Sequence, residues 1–292
     1  MNSSSYLQFL ISGLTVGSTY GLTALGFTII FNTTGIINFA QGEFVMLGGM
    51  LAVFLMGAGL GLVPALLLAV LGTVIVGALF ERLTIRPVQG AGVIRLIIIT
   101  IGVSILLRGL AMLSWGKDTF ALPHFTGMTP IHVGGATMLP QSIWVLSITL
   151  ALLAALKGFF SGTVWGKGML ACSYGRKAAF LVGIDVSRMV LVSFMISAAV
   201  GAVGGVILAP ITMTSYDMGI LLGLKGFAAC ILGGLGNPFG AAAGGLILGV
   251  LESFGAGLVS SAYKDAITFI ILLLLLFLKP SGLFGAASSE RV

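Results

Sequence analysis

Charge is what this sequence has least of. Only 8% of its 292 residues are Asp, Glu, Lys or Arg, while 58% are hydrophobic. Ordinary soluble domains carry about 25% charged residues. So little charge cannot cover a water-soluble core, which excludes a soluble enzyme or binding module and makes lipid the solvent. The net charge of +6 therefore reads as membrane topology, not as a nucleic-acid footprint. Cysteine is nearly absent. Cys172 and Cys230 make no disulfide framework, and both are expected to be reduced and structural. Only two histidines occur, His124 and His132, in one polar loop. No H-E-x-x-H is present, so no zinc site is expected. A G-x-S-x-G elbow is also missing. The segment Trp165-Gly166-Lys167-Gly168 superficially matches a phosphate loop. It has Ser161 where the first glycine belongs and Gly168 where Ser or Thr must follow the lysine. The chain thus has no nucleotide site of its own and no expected cofactor. No acid pair on facing spans suggests an intramembrane aspartyl protease. The N-terminus, MNSSSYLQFL, lacks a basic n-region, so the first apolar segment is expected to be a retained span.

Long apolar runs fill the rest. A bilayer crossing takes about 20 such residues. The runs at 7–31, 44–60, 65–80, 93–113, 145–160, 189–209, 219–235, about 240–258 and 266–278 predict an all-α integral membrane protein. It is a polytopic helical bundle of eight or nine spans, one domain over 1–292. Glycine is abundant, with 44 copies. Gly13, Gly17 and Gly21 recur every fourth residue, as do Gly201 and Gly205. Gly240, Gly244, Gly245 and Gly249 mark another helix. Small residues at this spacing let helices approach closely in lipid.

Cations set the orientation. With the loops at 82–95 and 157–188 in the cytoplasm, ten of the 14 Lys and Arg fall inside: Arg82, Arg86, Arg95, Lys157, Lys167, Arg176, Lys177, Arg188, Lys279 and Arg291. Lys117 and Lys264 fall outside, and Arg108 and Lys225 lie within spans. That asymmetry obeys the positive-inside rule. It implies nine crossings with the N-terminus outside, or eight if the Gly-rich region at 219–258 is partly re-entrant. The loop at 116–140 is then external and the tail with Glu290 and Arg291 internal.

Polar groups at membrane depth often line a solute path. Asn38, Gln41 and Glu43 stand beside Gly35 and Gly42, and Asn237 stands among Gly233, Gly234, Gly236 and Gly240. Broken helices there can offer backbone donors and acceptors to a solute, or both segments can be interfacial turns. Arg108, Lys225 and Glu252 either pair in the interior or snorkel to the headgroups. The loop at 161–188 holds four cations against one acid, Asp185. Ser173 can cap a short helix over 173–182, with Gly183 as its stop. Such a helix, apolar on one side and cationic on the other, suits a groove on a soluble partner or the headgroup layer.

Residues 17–49, GSTYGLTALGFTIIFNTTGIINFAQGEFVMLGG, closely resemble the early part of LivH-type permeases. Residues 169–206, 224–253 and 263–285 resemble the same family, so the likeness covers nearly the whole chain. These are membrane subunits of bacterial ABC importers for branched-chain amino acids and related solutes. The resemblance implies a multi-pass protein of the bacterial cytoplasmic (inner) membrane with a LivM-like second permease. It further implies two cytoplasmic ATPase subunits that use ATP and an extracytoplasmic solute-binding protein. Carried over, Ala171, Cys172, Ser173, Arg176, Lys177, Ala178, Ala179, Leu181 and Gly183 would form the coupling helix seated on an ATPase. Asn38, Gln41, Glu43 and Asn237 are the candidate solute path. The family motif commonly reads INFAHGE, and this chain departs from it at Gln41. A passive channel for a small polar solute such as urea or an amide is the alternative. It shares the composition but needs no docking helix.

Overall fold

The computed structural model describes residues 3–88, 90–279 and 281–285. The charged tail with Glu290 and Arg291, and Met1 with Asn2, lie outside the described residues. Helices dominate, in the order α1 (Ser3–Thr34), α2 (Gln41–Gly57), α3 (Leu62–Phe80), α4 (Val93–Trp115), α5 (Pro140–Gly162), α6 (Val164–Tyr174), α7 (Arg176–Leu181), α8 (Val186–Thr212), α9 (Met218–Gly233), α10 (Pro238–Leu258) and α11 (Lys264–Leu278). A π turn, Glu81–Ile85, and a 3-10 turn, Arg86–Val88, prolong α3. Among the described residues, seven segments are long and apolar enough to cross a membrane: 4–34, 62–88, 93–115, 140–162, 186–212, 238–258 and 261–278. Every apolar run expected from the sequence is helical. Two of them, α2 and α9, have only 17 and 16 residues, about 25 Å each at helical rise.

α1 runs through the middle of the bundle, buried from Gly17 to Ile30. The glycine registers bring it against α10. A Cβ on Gly13 would strike the backbone at Gly249 and Val250, one on Gly17 would strike Gly245 and Leu246, and one on Gly21 would meet Ala242 O. Gly245 and Gly249 answer from the other side, against Gly21 and Gly17. The pair is therefore antiparallel and in backbone contact, as small-residue packing requires. On α8, Gly201 faces Phe44 and Gly205 faces Val45 O of α2, while Ala198 and Phe194 receive Gly77 of α3. Around this centre α3, α4, α5 and α11 present Leu67, Ile98, Ile105, Leu150, Leu273 and Phe277 outward. An apolar exterior is what lipid contact demands.

The two ends of the bundle differ. At one end Asn32 Nδ2 donates to Gly236 O and Arg176 Nε to Thr33 O, so the end of α1 meets both the turn after α9 and the basic loop. At the other end the 116–139 loop folds back. It contains a hairpin, β1 (Ile131–Val133) and β2 (Ala136–Met138), paired antiparallel with Val133 opposite Ala136. Gly134 and Gly135 supply the positive φ, +57° and +83°, that a two-residue turn needs. Thr137 N donates to Gln8 Oε1, and Phe120 bridges Thr214, fastening the loop to α1 and α8.

Candidate functional site

The basic loop is built from two helices, not one. Thr163 caps α6, its hydroxyl accepting from Gly166 N at 3.0 Å. Ser173, expected to cap the next helix, instead lies in the last turn of α6 and donates to Leu170 O at 2.7 Å. The break falls at Gly175. Arg176 draws the chain after it onto the end of α1, donating to Thr33 O at 2.8 Å, where a helix C-terminus favours a cation. Gly183 does stop α7: at φ +86° its N–H donates to Phe180 O, and Ile184 N donates to Ala179 O. Cys172 and Ala179 are buried and hold the loop to the bundle; Ala171 and Arg176 are half-buried. Burial pushes the Cys172 thiol up, against the pull of Arg176, and pushes the Arg176 guanidinium down. Lys177 and Ala178 face outward with Tyr174, Phe180, Leu181 and Val182, each of these four more than 70% exposed. Contiguous apolar exposure beside a lysine marks a contact surface for a protein or for the headgroup layer.

A second polar site forms where α2 begins. Asn38 builds the turn into it, its Oδ1 accepting from Ala40 N and its C=O from Gln41 N. Its Nδ2 is buried without a hydrogen-bond partner. Gln41 commits both amide atoms to Ser197 of α8: Nε2 donates to Ser197 O at 3.3 Å and Oε1 accepts from Ser197 Oγ at 2.5 Å. Glu43, 2% exposed, accepts from Ser104 Oγ at 2.8 Å and lies 3.6 Å from Arg108 Nε through the same oxygen, Oε1. The other oxygen, Oε2, has no partner, and neither does Arg108 Nε as a hydrogen-bond donor. Thr100 belongs to this site as well, accepting from Phe39 N at 3.2 Å. Sequence reading singled out Arg108 but missed Thr100 and Ser104. Their spacing of four along α4 was the available signal, because it puts three polar side chains on one helix face.

A third polar group resolves Lys225 and Glu252 as an interior pair. Lys225 Nζ lies 3.0 Å from Glu252 Oε1, 2.6 Å from Asp265 Oδ1 and 3.2 Å from Tyr20 OH. Tyr20 OH and Lys264 Nζ also reach Glu252 Oε1, at 3.1 and 2.9 Å, and Thr268 donates to Glu252 Oε2 at 3.2 Å. Two cations and two carboxylates thus balance, joining α1, α9, α10 and α11. Asn237 stands apart from both interior sites. Its Oδ1 caps α10 by accepting from Phe239 N and Gly240 N, and its Nδ2 donates to Phe284 O. It sits on the rim of a cavity of about 820 Å³ between α1, α5, α6 and the α9–α10 turn, with Asn32, Lys157 and Tyr174 also on the wall. The four path candidates therefore divide: Asn38, Gln41 and Glu43 share the α2 entrance, and Asn237 belongs to the basic end. No group of three or more His, Cys, Asp or Glu able to hold a metal ion occurs among the described residues.

Comparison with known proteins follows the same lines. The family described as branched-chain amino acid transport system / permease component matches residues 9–276. The high-affinity branched-chain amino acid transport system permease protein BraD of Pseudomonas aeruginosa is 35% identical over 301 residues, covering 98% of each chain. LivH of Escherichia coli (strain K12), with the same description, is 34% identical over 307 residues, again 98% of each. A probable branched-chain amino acid transport permease protein LivH of Methanocaldococcus jannaschii is 31% identical, covering 90% of this chain and 88% of that one. Among solved structures, PsaBC from Streptococcus pneumoniae in complex with Fab aligns with TM-score 0.50 at 15% identity. It covers 94% of this chain and 92% of that one, and the likeness concerns the fold.

Proposed function

The chain belongs to the branched-chain amino acid transport system permease family, and from that premise we propose that it moves branched-chain amino acids or related small polar solutes inward across the cytoplasmic membrane. It is a transport subunit and not an enzyme. Separate ATPase subunits supply the drive, a second permease completes the membrane part, and an extracytoplasmic protein delivers the solute. The observation that carries this reading is the α6–α7 loop. It displays Tyr174, Phe180, Leu181 and Val182 to solvent at the cation-rich end while Arg176 anchors it to Thr33 of α1. A passive channel has no use for such a surface. Movement of an ATPase against α7 reaches α1 through that anchor, and α1 touches α8, α9 and α10. A zwitterion leaving water must have its lost hydration offset by hydrogen bonds along the path, and the α2 entrance supplies them.

Ala178 faces outward on α7, so Ala178→Glu places a charge in the proposed contact without disturbing the bundle. In proteoliposomes holding the complete transporter, this substitution is expected to abolish uptake and the solute-stimulated part of ATP hydrolysis together. Unchanged stimulation by the loaded binding protein would refute the coupling role.

A further inference from the structure

The cavity at the basic end changes character along its length. It holds about 820 Å³ between α1, α5, α6 and the α9–α10 turn, the size of a small-molecule site. α1 and α5 run the same way. Gln8, near the start of α1, meets Thr137 just before α5, and Thr33, at its other end, meets Arg176 just after α6. Leu25 and Ile29 of α1 and Leu153 and Leu156 of α5 line the deep part. Further along the same two helices, Asn32 and Lys157 line the mouth, with Tyr174 of α6. Asn32 lies seven residues beyond Leu25, about 10 Å at helical rise. The wall thus passes from apolar to polar within one leaflet of a hydrocarbon core about 30 Å thick. Water finds no polar partner in the deep part. At the mouth most polar groups are spent. Asn32 donates to Gly236 O, Asn237 to Phe284 O, Ser161 to Lys157 O and Ser173 to Leu170 O. Lys157 Nζ and the Tyr174 hydroxyl have no hydrogen-bond or ion-pair partner among the described residues.

We propose that this cavity binds one anionic phospholipid of the cytoplasmic leaflet, with its phosphate at Lys157 and Tyr174 and an acyl chain against Leu25, Ile29, Leu153 and Leu156. Charge selects this occupant. Among the described residues on the wall, Lys157 is the one charged group, and no acid faces it. A phosphodiester complements that lysine and meets no repulsion. Depth agrees. Lys157 lies five residues before the end of α5 at Gly162, at the cation-rich end, where a lysine stem covers apolar surface and its ammonium reaches the headgroups. Shape agrees too, because a lipid has the same order of polar head and apolar chain as the wall. α6 supplies one side of the cavity and leads through Gly175 into α7. A bound lipid therefore braces the α6–α7 loop against the end of α1. Binding of this lipid does not depend on which solute is carried.

The test uses the complete transporter in phosphatidylcholine nanodiscs, with co-purification of the partner subunits to establish assembly. The probe is a trace of phosphatidylglycerol carrying a diazirine on its acyl chain. Illumination and peptide mass spectrometry are expected to place label on residues 25–29 and 153–156 in excess over the outer faces at Leu67 and Ile98. The same diazirine on phosphatidylcholine should label these positions about fivefold less, the contribution of one lysine at an anionic surface. Lys157 is exposed, so it can be changed without disturbing the bundle. Lys157→Gln should erase the preference and Lys157→Arg should keep it. Leu153→Trp fills the cavity and should abolish the excess label. Label spread evenly over all apolar faces, or an unchanged preference in Lys157→Gln, would overturn the proposal. Displacement of the probe by glycerol 3-phosphate would make this a site for free phosphate, and displacement by leucine would make it part of the solute path; either overturns it. Label on the full-length permease alone that disappears in the complete transporter would make the cavity an interface with another subunit and overturn it as well.

Discussion

Replacing Lys225 by Met probes the interior network directly. Lys225 is 6% exposed at its side chain and serves Glu252, Asp265 and Tyr20 at once. Its removal leaves Glu252, 1% exposed, with Lys264, Tyr20 and Thr268. Removing one member of a buried pair typically costs 3–5 kcal/mol. Here Lys264 remains 2.9 Å from the stranded carboxylate, and Asp265, 53% exposed, returns to solvent. The cost falls at the low end, about 3 kcal/mol, or roughly 150-fold in the unfolding equilibrium. Lys264 is 43% exposed, so Lys264→Met should cost under about 1 kcal/mol. The neutral pair Lys225→Met/Glu252→Gln should return to within about 1 kcal/mol of wild type, because no lone charge stays buried. SDS titration of the purified protein in mixed micelles, followed by tryptophan fluorescence, measures all three. Equal losses for the two lysine variants, or a double variant worse than Lys225→Met, would refute the assignment of Lys225 as the buried centre of the network.

Gly245→Ala places a Cβ against the Gly21 backbone and should destabilise by about 3 kcal/mol. Gly102→Ala on α4 meets nothing within 4 Å and should be neutral or gain up to about 1 kcal/mol of helix propensity. The same titration compares them. Asn237→Ala removes the acceptor for Phe239 N and Gly240 N and the tie to Phe284 O, at about 1–2 kcal/mol. Asn237→Asp keeps the cap and should retain most uptake. Loss of uptake in the Asp variant at wild-type stability would move Asn237 from turn to path.

Helices were readable because each apolar run has the length and uniformity lipid demands. Close packing of the Gly13–Gly21 and Gly240–Gly249 faces was readable because glycine every fourth residue has few other uses in a membrane, but that α1 and α10 meet each other was not. Local punctuation was read less well. Ser173 looked like a cap, but the partner that decides the break is Thr33, more than a hundred residues away. Gly134-Gly135 is an ordinary hairpin signal, passed over in a loop with little alternation. The charges in the spans were visible, yet their pairing was not. Glu43 meets Arg108 on another helix, and Lys225 meets Tyr20 only because α9 lies along α1. Spacing within a helix identifies a face, but what that face meets depends on tertiary packing. Thr100 and Ser104 show the difference: their common face with Arg108 could be counted, and Glu43 opposite could not.

ATP-driven accumulation of tritiated leucine, isoleucine and valine bears most directly on the role of this chain. The system is proteoliposomes carrying this permease with its partner permease, ATPases and binding protein. Accumulation inside the vesicles against the gradient, lost when ATP or the ATPases are withheld, is the outcome expected of an importer subunit. Equilibration to the outside concentration without ATP would make the chain a passive channel and contradict it.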